Sequence, residues 1–241
     1  MIVCIRCEAM KCRGTLLWPA LFLIPLIPVV LGTGNYLANL DILRSGWYSL
    51  WTQISLFYSN FFFAPLIGVY CAFFWRYENF HSCRNALFTA PVSYGTIYLG
   101  KYLMVCAVTL FSQLWLAFLY LAAGILAGLP DLPPASIVLW ILRGTAGGFV
   151  AAAIQFILAC VFRSFALPVV LGVLGGFTGL LAAGRSWGIF WPYALMLLGM
   201  NANRTEDMLD GGISLFLAVT LIYLVLINLA GVRIMKRTAV L

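Results

Sequence analysis

The sequence predicts an all-α polytopic protein with one transmembrane domain, residues 1–241, and six membrane-spanning helices. The first observation is composition, because 64% of the residues are hydrophobic and only 9% are charged. A soluble domain carries about 25% charged residues. The second observation is a series of apolar runs, each close to the roughly 20 residues needed to cross a bilayer. The sequence contains no internal repeat, low-complexity tract or soluble domain.

Six apolar runs qualify as membrane spans. They are residues 16–36, 50–74, 95–126, 137–161, 166–183 and 213–229. In the fifth run, Gly172/Gly176 and Gly175/Gly179 form small-xxx-small pairs, which let helices approach each other closely. These pairs predict either tight packing inside one subunit or a contact between two subunits.

The basic residues predict the orientation of the chain. Lys and Arg are enriched on the cytoplasmic side of a membrane, and ten of the 14 fall on that side if both termini are cytoplasmic. These ten are Arg6, Lys11, Arg13, Arg76, Arg84, Lys101, Arg163, Arg233, Lys236 and Arg237. The net charge of +7 therefore reflects membrane topology. The basic residues form no stripe that could follow a phosphate backbone, which argues against a nucleic-acid partner.

Two further segments are predicted to lie at the membrane surface or to dip into it. Residues 1–13 are short, basic and partly apolar, which favours an interfacial helix on the inner face. Residues 187–200, between spans five and six, are apolar and aromatic but too short for a regular span. We expect them to form a re-entrant or interfacial helix on the outer side.

Residues 78–90 are predicted to form a short amphipathic helix between spans two and three. Phe80, Cys83 and Leu87 have the spacing of one helical face, and polar side chains fill the opposite face. Pro91 ends this helix because its ring removes a hydrogen-bond donor and clashes with the preceding turn. A helix of this length is not stable alone in water. We therefore expect something else to hold it.

This region carries a motif in which an acidic residue is followed by Leu-Phe-Thr-x-Pro-Val-Ser and then by Gly-Lys. The residues are Glu78, Leu87, Phe88, Thr89, Pro91, Val92, Ser93, Gly100 and Lys101. The motif resembles the coupling-helix segment of ABC-2 type transporter permeases. In length and number of spans, the whole chain is similar to the subgroup that provides lantibiotic immunity and related peptide export.

The resemblance implies that the short helix is cytosolic and docks into a groove of an ABC ATPase dimer. The residues implied in this coupling are Glu78, His81, Arg84, Leu87, Phe88, Thr89 and Pro91. A second permease subunit, identical or related, would complete the pathway. ATP and magnesium would bind to the ATPase, and we expect no cofactor in this chain.

The residues themselves offer no convincing catalytic site. Residues 95–101 approach a P-loop, but the Ser or Thr that holds magnesium is missing after Lys101 and no strand precedes the segment. His81 is the only histidine, and no metal-ligand cluster surrounds it. We also expect every acidic residue to lie outside the spans, whereas ion-coupled carriers place such groups within the membrane. The energy for transport should therefore come from a partner.

The seven cysteines are expected to be free thiols. They fall in segments placed in the reducing cytosol or within spans, where disulfides are rare. Cys4, Cys7 and Cys12 have a spacing that could bind a metal or carry a lipid, but no histidine lies nearby. Small apolar packing is the simpler interpretation.

Five polar side chains within or near the spans are candidates for the translocation path. They are Gln53, Asn60, Gln113, Arg143 and Gln155. Each has an alternative role. Amides inside a membrane commonly form hydrogen bonds between helices, and Arg143 could snorkel to the outer interface.

The expected function is ATP-driven export across a bacterial cell membrane, with an amphipathic antimicrobial peptide as cargo. The resemblance suggests this cargo, and an aromatic outer rim agrees with it. The rim comprises Trp47, Trp51, Trp187, Trp191 and Tyr193. Such rims are common in membrane proteins, so two alternatives stay open. The cargo could be a lipid, a glycan or a drug, or the chain could be a non-transporting scaffold or sensor subunit.

Overall fold

The computed structural model describes residues 1–79, 83–89, 91–209 and 212–238, and these ranges contain helices but no strand. Six helical stretches are long and apolar enough to cross a membrane: Leu17–Ala38, Trp47–Asn79, Tyr94–Leu126, Ala135–Val161, Ala166–Ala183 and Ile213–Arg237. The predicted all-α fold with six spans is confirmed. The helices of the second and sixth spans continue beyond their predicted ends.

The helices are numbered along the chain. Their bounds are α1 Ile2–Lys11, α2 Leu17–Leu23, α3 Leu26–Ala38, α4 Trp47–Phe57, α5 Phe63–Asn79, α6 Cys83–Thr89, α7 Tyr94–Leu126, α8 Ala135–Val161, α9 Ala166–Ala183, α10 Ala194–Gly199 and α11 Ile213–Thr238. A π-helical turn, Tyr58–Phe62, joins α4 to α5. A 3₁₀ turn, Gly188–Phe190, precedes α10.

Prolines and a capping serine set several helix boundaries. Pro25 separates α2 from α3 within the first span, because a proline lacks the N–H that would continue the helix. Pro65 cannot donate to the carbonyl of Phe61, and the π-helical turn lies directly before it. This wider turn accommodates the proline ring. Ser93 caps α7, since its Oγ accepts a hydrogen bond from the backbone N–H of Thr96 at 3.2 Å.

Both ends of the described chain meet at one end of the helical bundle. Gly100, in the second turn of α7, packs against Cys4 of α1. Gly231 of α11 packs against the ring of Tyr98, also on α7. We call this the terminal end, and it contains α1, α6, the start of α7 and the end of α11.

The central helix of the bundle is α5, which packs against α7, α8 and α9. Its Tyr70, Cys71 and Trp75 side chains are fully buried. Both glycine pairs of α9 pack inside this chain, one against the backbone at Asn60 and Ala64 and the other against Tyr193. A Cβ at any of these four glycines would lie within 2.8 Å of those atoms. Of the two interpretations of the glycine pairs, the structure supports packing inside one subunit.

The segment between the fifth and sixth spans is helical only in part. Within residues 187–200, α10 is six residues long and packs against α8 and α9. Ala194, Leu195 and Met196 are fully buried. The helix is shorter than expected because its apolar residues pack into the protein. Its re-entrant position in a bilayer and the interfacial position of α1 stay predictions.

The contact between α8 and α10 allows a matched test of this packing. A Cβ at Gly147 of α8 would lie 2.4 Å from the backbone carbon of Leu195, whereas a Cβ at Gly34 of α3 meets nothing within 4 Å. We expect Gly147→Ala to lower the thermal unfolding temperature in detergent, since overpacking costs about 1–3 kcal/mol. Gly34→Ala should leave it unchanged or raise it, because alanine favours a helix by about 1 kcal/mol. Equal unfolding temperatures for the two variants would contradict the close approach of α8 and α10.

Candidate functional site

The short helix α6 and the turn after it form the surface of the terminal end between α5 and α7. Leu87 and Phe88 are half-buried and pack against the core. Thr89 and Pro91 follow them and are exposed. These four of the residues implied in coupling therefore lie together at or near the surface. His81 lies outside the described residues.

Glu78 is on α5 and not on the short helix, and its side chain is buried. The predicted helix over residues 78–90 starts too early, because α5 continues to Asn79 and α6 begins at Cys83. The helix of the second span contains Glu78 next to its end, whereas the acidic residues were expected outside the spans. The depth of Glu78 in a bilayer stays a prediction. Glu78 can lie there because two lysines surround its carboxylate.

Four charged side chains from three helices form a buried ion cluster: Glu8 and Lys11 of α1, Glu78 of α5 and Lys101 of α7. The Lys101 Nζ lies 2.5 Å from Glu78 Oε1 and 2.9 Å from Glu8 Oε1. The Lys11 Nζ lies 2.6 Å and 2.8 Å from the same two oxygens. Each of these carboxylate oxygens thus contacts both ammonium groups. The ion cluster therefore joins α1, α5 and α7.

Lys101 has several partners that stabilise its buried positive charge. Its side chain is only 1% exposed. Besides the two carboxylates, its ammonium donates to the carbonyl of Phe74 at 3.1 Å and lies 5.5 Å from the centre of the Trp75 ring. A buried charge is tolerated when opposite charges and hydrogen bonds replace the water it has lost. The cluster contains two cations and two anions, so it adds no net charge to the apolar interior.

Lys11 lies at the more solvated side of the ion cluster, with 35% of its side chain exposed. Burial acts to lower its pKa, but hydrogen bonds to Glu78 and Glu8 outweigh this effect and raise the pKa above the ordinary value of 10.5. Lys11 therefore stays charged at physiological pH. Its share of the stability is present at low and neutral pH and is lost only as the pH rises through the raised pKa.

Arg84 fixes α6 to the rest of the bundle. Its side chain is buried, its Nη2 donates to the carbonyl of Cys160 at the end of α8 at 2.5 Å, and its Nε donates to Asn79 Oδ1 at 2.9 Å. The guanidinium also lies 5.3 Å from the centre of the Trp75 ring, within cation–π range. Arg84 thus holds α6 in place from inside the chain.

The five candidates for the translocation path do not all lie along one path. Gln155 contacts the Tyr193 hydroxyl at 2.8 Å, and its amide can also bond the backbone of Pro168 and Gly172. It therefore joins α8 to α9 and to the segment before α10. Gln113 is fully buried and its Nε2 lies 3.9 Å from the Met200 sulfur. These two amides have the interhelical position that the alternative interpretation predicts.

Arg143 is 4% exposed and pairs with Asp207, the Nη2–Oδ2 distance being 2.7 Å. The same carboxylate accepts a hydrogen bond from Trp140 Nε1 at 3.1 Å. Burial acts to raise the pKa of Asp207, but hydrogen bonds from Arg143, the Leu209 backbone and Trp140 lower it below the ordinary value of 3.8. This pair therefore stabilises the loop before α11 at neutral pH, and the stabilisation is lost only as the pH falls through the lowered pKa. Arg143 therefore anchors this loop to α8.

Gln53 and Asn60 lie at two adjacent cavities at the end of the bundle opposite the terminal end. Asn60 lines a cavity of about 190 Å³. Its wall includes Arg204, and most of the other described lining residues are apolar. The described residues that line it are Leu56, Asn60, Leu180, Ala183, Gly184, Leu197, Leu198, Ala202, Asn203, Arg204 and Met208. Gln53 lines a neighbouring cleft that shares Asn203 and Arg204 with it. We call the first the outer cavity.

Asn60 brings a buried polar atom without a described partner to the outer cavity. It is 3% exposed, and its Oδ1 makes no hydrogen bond with any described residue. A buried polar atom without a partner costs stability. Asn60 lies in the π-helical turn, and such turns are frequent at functional sites. Gln53 differs, because its Oε1 accepts a hydrogen bond from Asn35 at 2.6 Å.

A family model described as ABC-2 family transporter protein matches residues 4–179. The chain belongs to this family. It is therefore a multi-pass membrane subunit of an ABC transporter, a transport subunit and not itself an enzyme, and the family implies an ATPase partner in general. No curated protein and no solved structure matches this chain. The matched residues of this ABC-2 permease include the ion cluster, α6 and Asn60.

Three members of the ion cluster were not among the residues predicted for the site of this ABC-2 permease: Glu8, Lys11 and Lys101. Lys101 belongs to the coupling motif, but its charge was given no role. A signal was present, since a lysine inside a long apolar helix requires a partner. The sequence contains few acidic residues that could supply one. The carboxylates that pair with Lys101 are determined by how α1 folds back onto α7. The sequence pattern does not define that contact.

Removing one charge tests whether the ion cluster holds α1, α5 and α7 together. Lys101→Met leaves two buried carboxylates facing Lys11 alone, and breaking a buried pair commonly costs about 3–5 kcal/mol. We expect a large fall in the unfolding temperature in detergent. The double variant Lys101→Met/Glu78→Met should unfold at a higher temperature than Lys101→Met, because one cation and one anion then remain. Arg233→Met, which removes an exposed cation at the same end, serves as the control and should have little effect.

Proposed function

We propose that this ABC-2 permease forms half of the pathway of an ATP-driven exporter in a bacterial cell membrane, and that a cytosolic ABC ATPase dimer docks on α6. The observation that carries the proposal is the position of α6. Its last residues lie at the surface, while Arg84 fixes it to α5 and α8 from inside. A short helix anchored in this way can transmit a push without unfolding. ATP and magnesium would bind to the ATPase.

The terminal end is proposed to face the cytoplasm. It contains α1, α6 and the end of α11, which carries Lys236 and Arg237 in its last turn. Lys and Arg concentrate on the cytoplasmic side of membrane proteins. This orientation places both termini and the proposed docking surface on the side where an ATPase is found. A second permease subunit, identical or related, would complete the pathway.

Movement of α6 would reach several spans at once. Arg84 connects α6 to Cys160 on α8 and to Asn79 on α5. The Trp75 ring lies between this contact and the ion cluster, because both Arg84 and Lys101 approach it. Coupling requires an element with two arrangements that both sites can bias. The α5 helix is our candidate, since it runs from this contact to the π-helical turn at the outer cavity.

The proposed cargo is an amphipathic antimicrobial peptide of the lantibiotic type, expelled from the membrane as a form of immunity. The outer cavity supports a peptide because its described wall is mostly apolar and includes Asn60, whose buried Oδ1 has no partner among the described residues. An apolar side chain could fill the cavity while a peptide N–H donates to Asn60 Oδ1. Arg204 at the same cavity offers a positive charge to an acidic group. The resemblance to lantibiotic-immunity permeases supports the same cargo.

A charge placed on the docking surface should uncouple the transporter. Leu87→Asp would bury a carboxylate in an apolar socket, where an unpaired charge is costly. Because Leu87 also packs against this chain's own core, Val92→Asp is the second variant, as Val92 is 40% exposed. We expect both variants to lose at least about tenfold in affinity for the ATPase, as interface hot spots do. Affinity is measured by co-purification at graded salt.

The control for the docking variants is Leu132→Asp. Leu132 is 85% exposed and lies in the loop between α7 and α8, away from α6. It should co-purify with the ATPase as the unaltered chain does. Normal ATPase association and transport in both Leu87→Asp and Val92→Asp would refute the docking role of α6.

Killing assays test the cargo. The complete transporter, expressed in a lantibiotic-sensitive strain, should raise the concentration of peptide needed to kill. Asn60→Leu and Arg204→Gln should remove most of this protection, while Arg185→Gln, an exposed arginine outside the cavity, should keep it. If a panel of lantibiotics kills the strain equally well with and without the transporter, the peptide proposal is contradicted. Stimulation of the ATPase by a lipid, glycan or drug would then identify another cargo, and absence of any transport would favour a scaffold or sensor.

A further inference from the structure

The cleft that adjoins the outer cavity, which we call the outer cleft, is polar. Its volume is about 370 Å³, and its described lining includes Thr52, Gln53, Asn203, Arg204 and Glu206. This volume lies within the range of about 300–1,000 Å³ that is typical of ligand pockets. Asn203 and Arg204 also line the outer cavity, so the two spaces share part of their wall. One amphipathic ligand can therefore contact both.

The buried part of the outer cleft is formed by two polar residues of α4. Thr52 and Gln53 are 5% and 8% exposed. The Gln53 Oε1 accepts a hydrogen bond from Asn35 at 2.6 Å, and its Nε2 donates to Thr52 Oγ1 at 3.0 Å. These contacts fix the Gln53 amide in the wall of the outer cleft. An amide nitrogen carries two N–H groups, and the described residues use only one of those on Gln53.

The rim of the outer cleft is a loop after α10 whose shape is set by Asn201. This residue is fully buried. Its Nδ2 donates to the carbonyls of Arg204 at 3.1 Å and Glu206 at 2.8 Å, and its Oδ1 accepts from the N–H of Met208 at 2.9 Å. Asn201 and Asn203 have φ angles of 50° and 59°, a left-handed conformation that asparagine adopts more readily than most residues. The backbone that carries the two charges is thus ordered before a ligand binds, which lowers the entropy cost of binding.

The two charged residues of this rim occupy different positions. Arg204 lines both the outer cavity and the outer cleft, whereas Glu206 lines the outer cleft and is not among the described residues that line the outer cavity. Both residues are exposed, and the ion pairs between described residues involve neither of them. A ligand that extends from the outer cavity into the outer cleft therefore meets a positive charge first and a negative charge second.

We propose that the outer cavity and the outer cleft together bind a peptide segment in which an apolar residue is followed by an acidic residue and then by a basic one. This inference rests on the proposed peptide cargo and makes it more specific. The apolar side chain fills the outer cavity, the acidic group pairs with Arg204 and the basic group pairs with Glu206. A guanidinium can donate two parallel hydrogen bonds to a carboxylate. The reversed order would bring like charges together, and such repulsion is a source of specificity.

Two features of the outer cavity favour a peptide over a zwitterionic phospholipid, whose headgroup also presents an anion before a cation. The cavity volume of about 190 Å³ is too small for the two acyl chains of a phospholipid. The buried Oδ1 of Asn60 lacks a partner among the described residues, and a buried acceptor is costly unless a donor reaches it. A peptide backbone supplies an N–H for this atom, and an acyl chain does not.

Fluorescence anisotropy tests the order of charges with two dye-labelled peptides of the same composition, Leu-Leu-Asp-Lys-amide and Leu-Leu-Lys-Asp-amide. The full chain, purified with its partner subunits in detergent, should bind the first at least about fivefold more tightly than the second, as expected for two partly exposed charge pairs. The preference should shrink as salt is added, because salt screens exposed charges. Empty micelles serve as the correction for partition into detergent.

The charge-exchange variant Arg204→Glu/Glu206→Arg should reverse this preference. The exchange leaves the loop intact, because Asn201 bonds to the carbonyls of these two residues and not to their side chains. The matched control is Asp41→Arg/Arg44→Glu, which exchanges two exposed charges at the same end of the bundle, outside the described lining of the outer cleft. This control should keep the preference of the unaltered chain.

The outcomes separate this inference from the proposed cargo, which the killing assays test independently. Equal binding of the two peptides, absence of binding, or an unchanged preference in the charge-exchange variant would overturn the order of charges. Displacement of the first peptide by phosphatidylethanolamine would overturn it as well, because it would show a lipid site. An order preference that reverses in the charge-exchange variant, together with unaltered killing, would support the binding site and contradict the antimicrobial cargo.

Discussion

Ionised groups enter an apolar interior only when each one faces an opposite charge, and the ion cluster of this chain meets that requirement with residues from three helices. Lys101 and Lys11 share the same oxygens of Glu8 and Glu78. A shift of α1, α5 or α7 alone would separate a cation from a carboxylate in a medium of low dielectric constant. The three helices are therefore expected to move together. The position of α6 depends on this constraint, because α6 lies between two of them in the chain.

The two ends of the bundle are stabilised by different kinds of contact. At the terminal end, the ion cluster and Arg84 tie α1, α5, α6, α7 and α8 into one unit. At the opposite end, the ion pair between Arg143 and Asp207 fixes the loop before α11 to α8. Between them, α5 packs against α7, α8 and α9 and is continuous with the π-helical turn that carries Asn60. This arrangement provides a rigid connection from the proposed docking surface to the outer cavity, where the buried Asn60 Oδ1 lacks a partner among the described residues.

Much of the fold follows from the sequence. Hydrophobic length alone predicts six spans, and Pro91 predicts the end of the short helix α6, whose last residue is Thr89. The sequence predicts less of the site, for physical reasons that particular residues illustrate. Glu78 was placed on a surface helix because polar residues follow it, but its two lysine partners allow it to lie inside the bundle. Arg143 and Gln155 were recognisable as unusual residues within spans, yet their partners, Asp207 and Tyr193, come from distant loops. The periodicity of a sequence shows which face of a helix is polar. It does not show which residues of other helices or loops contact that face.

The central claim is that a cytosolic ATPase docks on the surface formed by α6 and the turn after it. The most direct measurement is photocrosslinking in the native host, with a photoreactive amino acid at Val92, followed by isolation of the tagged chain and mass spectrometry. The account predicts an adduct with an ATPase that contains a P-loop, and no such adduct from Leu132 at the opposite end. Absence of an ATPase adduct at Val92, or equal yields from both positions, would contradict it.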